Sequence, residues 1–300
     1  MLHLRNPSDA QHWCNAQRET GRSVGFVPTM GALHRGHESL VDRARSENDV
    51  CCASIFVNPL QFEDGQDFNA YPRDLNADLA VLEAHGCDMI FEGTLESFFP
   101  EVEDVRRIPM IPAGPFGKGL EELCRPGHLD GVRTIVDRLF RFVGPAKAYF
   151  GEKDFQQTLV VMDLAEALGY PEVVVCPTVR EPSGLALSSR NTLLSPDEKK
   201  EAERIFQSLA AAAKAWSSGM RHAHLLREKM IEQFAGSQLI IEYAAVRNPS
   251  AWTADDPPGA YCRTPRKGAT DRQSSITLAQ RHRTSILRAL ALEINALRRP

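Results

Sequence analysis

The sequence lacks the features that mark membrane, secreted and nucleic-acid-binding proteins. No apolar run is long enough to span a bilayer, and the first residues, MLHLRNPSDAQHW, lack the apolar core of a signal peptide. Neither sign of charge dominates, because 35 Lys and Arg stand against 39 Asp and Glu. We therefore expect no nucleic-acid or membrane partner. With 43% hydrophobic and 25% charged residues, the composition is typical of a soluble globular protein.

The cysteines do not form a recognisable disulfide or metal pattern. There are seven of them, an odd number, and no C-x-x-C occurs. Cys51 and Cys52 are adjacent inside a strand-like run, and the others are scattered. This favours a cytoplasmic protein with reduced thiols, mostly buried as small apolar side chains, and no protein-bound metal. The absence of G-x-G-x-x-G also weakens a dinucleotide-binding interpretation.

What is present is an alternation of short apolar runs with helical patterns over the first 180 residues, in a chain whose length suggests about two domains. Such an alternation predicts an α/β fold with a parallel sheet covered on both faces. Ligands of such sheets bind outside the carboxyl ends of the strands. The predicted strands are 23–29, 50–58, 87–93, 147–151 and 172–179, and the predicted helices between them are 38–46, 72–85, 131–143 and 155–168.

A second, smaller domain is predicted after residue 182, so that the chain divides into 1–182 and 183–300. The segment 181–198, rich in Pro, Gly and Ser, resembles a hinge. Ser195 is placed to cap the next helix, with Pro196 at its first position and Glu198 closing a capping box. Helices at about 196–216 and 222–234 and a strand at 238–246 then predict an α+β domain. Residues 251–300 are atypical, since they are turn-rich, basic and weakly periodic.

Two histidines, His34 and His37, flank Gly36 where a predicted strand gives way to a helix. The start of a helix offers free N–H groups and the positive end of the helix dipole, and Gly36 leaves room for close approach of a phosphate. Both imidazoles would then face one anion, as imidazolium donors that neutralise developing charge. A pair of ordinary surface histidines is the alternative.

The segment YFGEKDFQQ repeats this arrangement at the end of another strand. Gly151 is followed by Lys153 and Asp154 at a helix start, where a lysine is unfavourable unless an anion lies beside it. Asp154 could instead serve only as the helix cap. Gln157 lies one turn further on, on the same side as Asp154. The pattern indicates a polyphosphate site.

The hinge segment LALSSRN brings two hydroxyl groups and a guanidinium together at Ser188, Ser189 and Arg190. Such groups are good donors to phosphate oxygens, although the segment taken alone could be an ordinary polar loop. Asn58 and Gln61, in FVNPLQF, could hold a small polar substrate or could satisfy the loop backbone. The segment RPGH, residues 125–128, has the same ambiguity.

Taken together, these stretches resemble the pantothenate synthetase family. The matching segments occur in family order over roughly residues 22 to 195: PTMGALHRGH, FVNPLQF, YPRD, RPGHLDGV, YFGEKDFQQ and PTVREPSGLALSSRN. More distantly, H-x-G-H with a Ser-rich hinge loop resembles the class I aminoacyl-tRNA synthetase and nucleotidylyltransferase superfamily. The resemblance implies a Rossmann-like amino-terminal domain, a small carboxyl-terminal lid and a homodimer.

The resemblance also implies a reaction and its residues. Pantoate would attack the α-phosphorus of Mg-ATP to give pantoyl adenylate, and β-alanine would then displace AMP. His37 is implied as the proton donor, and His34, Lys153 and Arg190 would complete the catalytic set. Pantoate and β-alanine would lie against Asn58, Gln61 and Gln157. The implied ATP-binding residues are Met30, Gly31, Ala32, Leu33, His34, Arg35, Gly36, His37, Gly151, Glu152, Lys153, Asp154, Val179, Leu187, Ser188, Ser189 and Arg190. The Mg²⁺ is carried by ATP, and no metal-binding residue is implied.

One part of the chain departs from the family pattern. Residues 268–276, GATDRQSSI, poorly match the segment usual near the end of the lid, and we expect the last fifty residues to be divergent, as after a shift of reading frame. Two other functions stay open at this point. Another H-x-G-H nucleotidylyltransferase would transfer a nucleotide and stop, although FVNPLQF speaks against it. An ATP-binding module without turnover would bind nucleotide and produce no AMP.

Overall fold

The protein forms a six-stranded parallel sheet with helices on both faces. The computed structural model describes residues 1–63, 65–247 and 252. The strands are β1 (Leu2–Leu4), β2 (Val24–Thr29), β3 (Val50–Ile55), β4 (Met89–Glu92), β5 (Lys147–Gly151) and β6 (Glu172–Cys176). Their order across the sheet is β1-β4-β3-β2-β5-β6, and every pairing is parallel. The predicted α/β class is confirmed.

Ten α-helices occur in the described residues, together with short 3-10 turns. They are α1 (Pro7–Glu19), α2 (Arg35–Glu47), α3 (Gly65–Ala70), α4 (Leu75–Ala84), α5 (Leu95–Phe98), α6 (Glu121–Cys124), α7 (His128–Val143), α8 (Phe155–Leu168), α9 (Pro196–Ser217) and α10 (Ala223–Glu232). None of them is long and apolar enough to cross a membrane.

Helices cover both faces of the sheet, and successive side chains of a strand pack into the cores on opposite faces. Phe26 and Cys52 pack with α1, α7 and α8 on one face, whereas Val27, Cys51 and Ala53 pack with α2 and α4 on the other. This is the period of two that parallel strands require when both faces are buried. The cysteines behave as small apolar residues, as expected: of the six that are described, all but Cys124 are buried.

All five predicted strands are present; β2 and β5 end where predicted, whereas β3, β4 and β6 end one to three residues earlier. The four predicted helices are present too, although α2 begins at Arg35, three residues before the predicted start, and α4 begins at Leu75, three residues after it. The sequence pattern did not identify β1 or α1, because three residues give too little alternation and α1 is strongly polar. The side chain of Asn6 caps α1 and Pro7 opens it.

The carboxyl-terminal part confirms the predicted helices but not the predicted strand. Ser195 and Glu198 form the expected capping box at the start of α9. The strand predicted at 238–246 is wrong, since the described residues 235–247 contain no strand. Ala244 packs into a small core with α9 and α10, while Ile240 is 52% exposed. No neighbouring strand pairs with this segment among the described residues, and the predictions for 251–300 fall outside them, apart from Trp252.

The sheet order changes direction between β2 and β5. From β2 the chain proceeds through β3 and β4 to one side, and β5 and β6 extend the sheet on the other. In parallel sheets a crevice opens at such a switch point, beyond the carboxyl ends of the two strands. The sequence places the H-x-G-H segment after β2 and the GEKD segment after β5, so both segments flank this crevice.

Candidate active site

A cavity lies at the switch point and brings together most of the residues predicted to form a site. The predicted residues that line it are Met30, His34, Gly36, His37, Asn58, Gln61, Gly151, Lys153, Asp154, Gln157, Val179, Leu187, Ser188, Ser189 and Arg190. They come from segments separated by as many as 160 residues in the chain. The fold therefore gathers the polar motifs around one space.

Five predicted ATP-binding residues do not line this cavity: Gly31, Ala32, Leu33, Arg35 and Glu152. Gly31, Ala32 and Leu33 form the turn that follows β2. Hydrogen bonds to the carboxylate of Asp78 fix this turn. Arg35 is exposed to solvent on the first turn of α2. Glu152 lies at the end of β5, where its N–H donates to the carbonyl of Cys176. These five residues border the lining rather than forming it.

The turn after β2 is held by a buried carboxylate that sequence analysis missed. Asp78, in the first turn of α4, is 4% exposed and accepts hydrogen bonds from the N–H groups of Ala32 (2.9 Å) and Leu33 (2.7 Å). Both Gly31 (φ +76°) and Ala32 (φ +50°) have left-handed backbone conformations, and a Cβ on Gly31 would lie 2.7 Å from the Asp78 carboxylate. Burial raises the pKa of Asp78, and the two N–H donors partly oppose that shift.

The histidine pair sits at the start of α2 in a fixed arrangement. His34 is the N-cap, and its Nδ1 accepts from the N–H of Gly36 at 3.1 Å. The Nδ1 of His37 accepts from the N–H of His34 at 3.4 Å, and the ring centroids are 4.2 Å apart. Because both Nδ1 atoms accept, each neutral ring carries its proton on Nε2. The Nε2–H groups are the donors left for a ligand.

Neither histidine is charged at neutral pH, contrary to the expected imidazolium pair. Burial, followed by the positive charge of Lys153, lowers the pKa of His34 to about 4. Burial and the neighbouring His34 and Lys153 lower the pKa of His37 to about 3. Two protonated rings so close to each other and to an ammonium would repel one another. The pair therefore offers neutral N–H donors to an incoming ligand.

Lys153 and Asp154 form an ion pair at the start of α8. Lys153 Nζ donates to Asp154 Oδ1 at 2.8 Å. Burial alone would raise the pKa of Asp154, but the charge and hydrogen bond of Lys153 prevail and the pKa is lowered. Asp154 occupies the N-cap position without a side-chain capping hydrogen bond. The capping interpretation is therefore wrong, and this carboxylate instead offsets a lysine that the helix dipole would disfavour.

The hinge loop closes the cavity with a second cation. Arg190 NH2 donates to Asp67 at 2.9 Å, and its guanidinium lies 5.5 Å from the ring centroid of Tyr71. Ser188 accepts from the N–H of Arg190 through its hydroxyl, at 3.3 Å. Ser189 donates through its hydroxyl to the carbonyl of Ala32, at 3.0 Å. The hinge loop and the turn after β2 are thus bonded to each other.

The two amides of FVNPLQF have different roles in the structure. Asn58 is 1% exposed, and its side chain accepts from Leu60 N–H (3.2 Å) and donates to Gln61 Oε1 and to the carbonyl of Gly131 (both 3.1 Å). Gln61 uses its Nε2 toward Met30 Sδ at 3.1 Å. Asn58 therefore satisfies the loop backbone and orients Gln61, whose amide remains at the cavity. The role of either side chain as a direct substrate ligand stays a prediction.

The floor of the cavity is apolar and is made mainly by one helix. Residues from α7 line it with hydrocarbon, and Phe56 adds an aromatic ring. The helix reaches this position because Gly131 has no side chain: a Cβ there would lie 2.1 Å from the carbonyl oxygen of Leu60. Amides at the edge and hydrocarbon below suit a small organic molecule with polar and apolar parts. The α7 residues are Val132, Ile135, Val136 and Leu139.

RPGH contributes two further groups to the cavity wall. Arg125 and His128 both line it, and the Nε2 of His128 lies 3.2 Å from a guanidinium nitrogen of Arg125. Burial and the charge of Arg125 lower the pKa of His128 to about 4. The sequence left these residues ambiguous. Tyr71 lies in the YPRD segment, to which no role was assigned, and the sequence gave no signal for Asp67 or Asp78.

These features define a class of protein. Helix starts at α2 and α8, a lysine, an arginine and two neutral imidazoles surround one space, with amides and hydrocarbon beside it. Such a set binds a polyphosphate next to a small organic molecule, which is typical of an enzyme that activates its substrate with a nucleotide.

Comparison with known proteins shows which family this is. Residues 3–281 match the family described as Pantoate-beta-alanine ligase. The chain belongs to this family. It is therefore a ligase that forms an amide bond, and the activity of the family is the ATP-dependent joining of pantoate to β-alanine.

Individual relatives agree with the assignment. The chain is 44% identical over 243 residues to a pantothenate synthetase of Herpetosiphon aurantiacus, which covers 78% of this chain and 84% of that protein. It is 47% identical over 234 residues to a pantothenate synthetase of Geobacillus kaustophilus, with 76% of each chain covered.

Solved structures show the same architecture. A crystal structure of pantothenate synthetase from Thermus thermophilus superposes with a TM-score of 0.78 at 39% identity, covering 88% of this chain and 91% of the other. A pantoate-beta-alanine ligase from Francisella tularensis, complexed with beta-gamma ATP and beta-alanine, gives a TM-score of 0.69 at 32% identity, covering 83% and 90%.

Proposed function

We propose that the chain makes pantothenate in two steps within this one cavity. The carboxylate of pantoate attacks the α-phosphorus of ATP, forming pantoyl adenylate and releasing pyrophosphate. The amine of β-alanine then attacks the acyl carbon and AMP leaves. The observation that carries the proposal is that Lys153, Arg190 and the α2 and α8 starts line the same cavity as the amides and the α7 hydrocarbon. A nucleotide and pantoate would therefore bind side by side.

Lys153 and Arg190 are proposed to hold the phosphates. Negative charge builds on the bridging oxygen and on pyrophosphate as the α-phosphorus is attacked, and fixed cations stabilise it in the transition state more than in the ground state. Each cation is paired with a carboxylate in this structure, Lys153 with Asp154 and Arg190 with Asp67. ATP would exchange these pairs for phosphate contacts.

His34 and His37 are proposed to contact the same phosphates through their Nε2–H groups. As neutral donors they add hydrogen bonds without repelling Lys153. A bound phosphate nearby would raise the pKa of both rings, because an opposite charge favours the protonated form. In this proposal His37 becomes a proton donor only when ATP is bound, and the proton goes to the departing pyrophosphate.

Magnesium is proposed to enter with ATP. Within the described residues no group of three His, Cys, Asp or Glu side chains could hold a metal ion, whereas the phosphate oxygens of ATP are ligands of the kind Mg²⁺ prefers. The ion would neutralise charge on the β- and γ-phosphates when bound. Lys153 and Arg190 would act on oxygens that the ion leaves free.

Pantoate is proposed to lie on the apolar floor with its hydroxyl groups toward Gln61 and Gln157. Asn58 fixes the Gln61 amide from behind. Residues 183–300 are proposed to form a lid over the adenylate, which must be kept from water because acyl adenylates hydrolyse. A homodimer in the cytoplasm completes the proposal.

The test is the formation of AMP by the purified chain from Mg-ATP, pantoate and β-alanine, with each acid omitted in turn. We expect AMP release at a substantial rate only with both acids, and pantoate-dependent exchange of labelled pyrophosphate into ATP without β-alanine. A folded protein that binds ATP and catalyses neither reaction would refute the proposed function and favour an ATP-binding module.

A further inference from the structure

A buried carboxylate links the carboxyl-terminal part of the chain to the cavity wall. Glu121, in α6, is 3% exposed, and the hydroxyl of Tyr243 donates a hydrogen bond to its Oε1. Tyr243 lies in the irregular segment after α10, whereas α6 lies in the first domain next to RPGH. This contact therefore ties the two parts of the chain together beside the cavity.

The link continues from Glu121 to two residues that line the cavity. Glu121 Oε2 lies 3.6 Å from NH1 of Arg125, and the same nitrogen lies 3.2 Å from Nε2 of His128. The Arg125 side chain is 14% exposed, so its charge is largely withdrawn from water. A buried ion pair contributes little net stability compared with apolar packing, and a positional role is a reason to retain one.

His128 passes the link on to Gln61. Its Nδ1 lies 2.8 Å from the main-chain carbonyl oxygen of Gln61. Because a carbonyl oxygen only accepts, Nδ1 carries the proton and Nε2 offers its lone pair to Arg125. Tyr243 thus donates to Glu121, an ion pair joins Glu121 to Arg125, Arg125 donates to His128, and His128 donates to the backbone of Gln61.

The backbone beside Glu121 is held in an unusual conformation. Leu120 has φ +49°, in the left-handed region that a branched side chain rarely adopts. Gln156 fixes this turn, because its Oε1 accepts from the N–H of Glu121 at 3.2 Å and its Nε2 donates to the carbonyls of Phe116 and Gly119. Strain of this kind persists only where the surroundings enforce it, and it often accompanies a functional position.

We propose that Tyr243, Glu121, Arg125 and His128 form a positioning chain, through which docking of the carboxyl-terminal segment sets the place of Gln61 and thereby the affinity for pantoate. The inference rests on the proposed role of Gln61 in holding pantoate. It gives Tyr243, a residue of the predicted lid, a role in pantoate binding by the first domain. None of the four residues needs to contact the phosphates.

The test compares Tyr243→Phe with a matched control in the full-length protein. Tyr243→Phe removes one hydroxyl and keeps the ring. We expect the KM for pantoate to rise about fivefold, the loss of part of one charged hydrogen bond, while the KM for ATP stays within about twofold. The control is Arg227→Gln. It removes the 3.0 Å hydrogen bond from Arg227 to the carbonyl of Ala244, the residue after Tyr243, and leaves Glu121 unchanged.

Further variants separate the positioning chain from general packing. Adding Tyr243→Phe to Glu121→Gln is expected to raise the KM for pantoate no further than Glu121→Gln alone, because the chain is already broken. Equal effects of Tyr243→Phe and Arg227→Gln on that KM would overturn the proposal, as would fully additive effects in the double variant.

Gln61→Met, measured alongside, distinguishes the two levels of inference. An unchanged KM for pantoate in Gln61→Met overturns the proposed role of Gln61 and the positioning chain with it. A raised KM in Gln61→Met with an unchanged KM in Tyr243→Phe overturns the positioning chain alone. A raised KM in both, with Arg227→Gln near wild type, supports both.

Discussion

Replacing Asp78 with Asn tests whether the turn after β2 is held in shape for ATP. The carboxylate accepts from Ala32 N–H at 2.9 Å and from Leu33 N–H at 2.7 Å. Asn keeps one acceptor and turns an NH₂ group toward the other N–H donor. Hydrogen bonds to a charged group contribute about 1.5–3 kcal/mol each. The substitution therefore weakens one hydrogen bond and replaces the other with two N–H donors that face each other.

The size of the effect follows from three contributions. The left-handed conformation of Ala32 (φ +50°) costs about 1–2 kcal/mol and needs the anchor to persist. Removing a buried carboxylate relieves part of the loss, because burial already raises the pKa of Asp78. We expect a net loss of about 2 kcal/mol at the turn, or about a 30-fold fall in kcat/KM for ATP.

The assay is steady-state AMP formation with ATP varied, supported by a melting curve for each variant. Asp74→Asn is the matched control, since Asp74 caps the same helix through Ala77 N–H and does not contact the turn. Adding Ala32→Gly to Asp78→Asn is expected to restore part of the activity, because Gly adopts φ > 0 freely. Wild-type kcat/KM in Asp78→Asn, or an equal fall in Asp74→Asn, would refute the reasoning.

Three further predictions concern charge, protonation and close packing. Lys153→Met is expected to lower kcat about a hundredfold with melting temperature preserved, as measured by AMP release, and a loss under about threefold would show that the lysine is not on the leaving phosphates. Burial lowers the pKa of His128 to about 4. As pH falls below 6.5, the unfolded state therefore takes up a proton before the folded state does. The stability that the neutral ring contributes is lost as pH falls toward 4. Urea titrations should show that wild type loses about 2 kcal/mol more than His128→Gln between about pH 7 and pH 5, and equal losses would contradict the assignment. Gly131→Ala places a Cβ 2.1 Å from the carbonyl oxygen of Leu60 and should destabilise the protein by about 1–3 kcal/mol. The control, Gly65→Ala, has open space around it and should not destabilise the protein. Equal melting temperatures of the two variants would show that α7 can move freely.

The sheet could be predicted because its signal is local and repeated. Val24–Thr29 and Val50–Ile55 are short apolar runs between helical patterns, and burial on both faces makes such runs continuous. The strand at 238–246 was predicted from the same kind of apolar run and is absent, because a strand needs a neighbour and apolar residues can equally pack against helices. Composition could not reveal which alternative Ala244 and its neighbours would take.

The site was predictable where chemistry lies next to a strand end. His34, Lys153 and Gln61 each follow a strand, and the rule for parallel sheets gathers such positions. Asp78 was missed because its function depends on the N–H groups of a turn 45 residues away in the chain. Protonation was also beyond the sequence: the neutral state of His34 follows from burial and from the approach of Lys153, which only the fold determines.

The most direct test of the central claim follows the oxygen atoms of pantoate. If the pantoate carboxylate attacks the α-phosphorus, then pantoate labelled with ¹⁸O in its carboxylate must deliver one labelled oxygen to each AMP during synthesis. Mass spectrometry of the AMP formed in a complete reaction measures this transfer. The account predicts AMP carrying one ¹⁸O and pyrophosphate carrying none. Label in inorganic phosphate, with ADP as the other product, or AMP without label would contradict it.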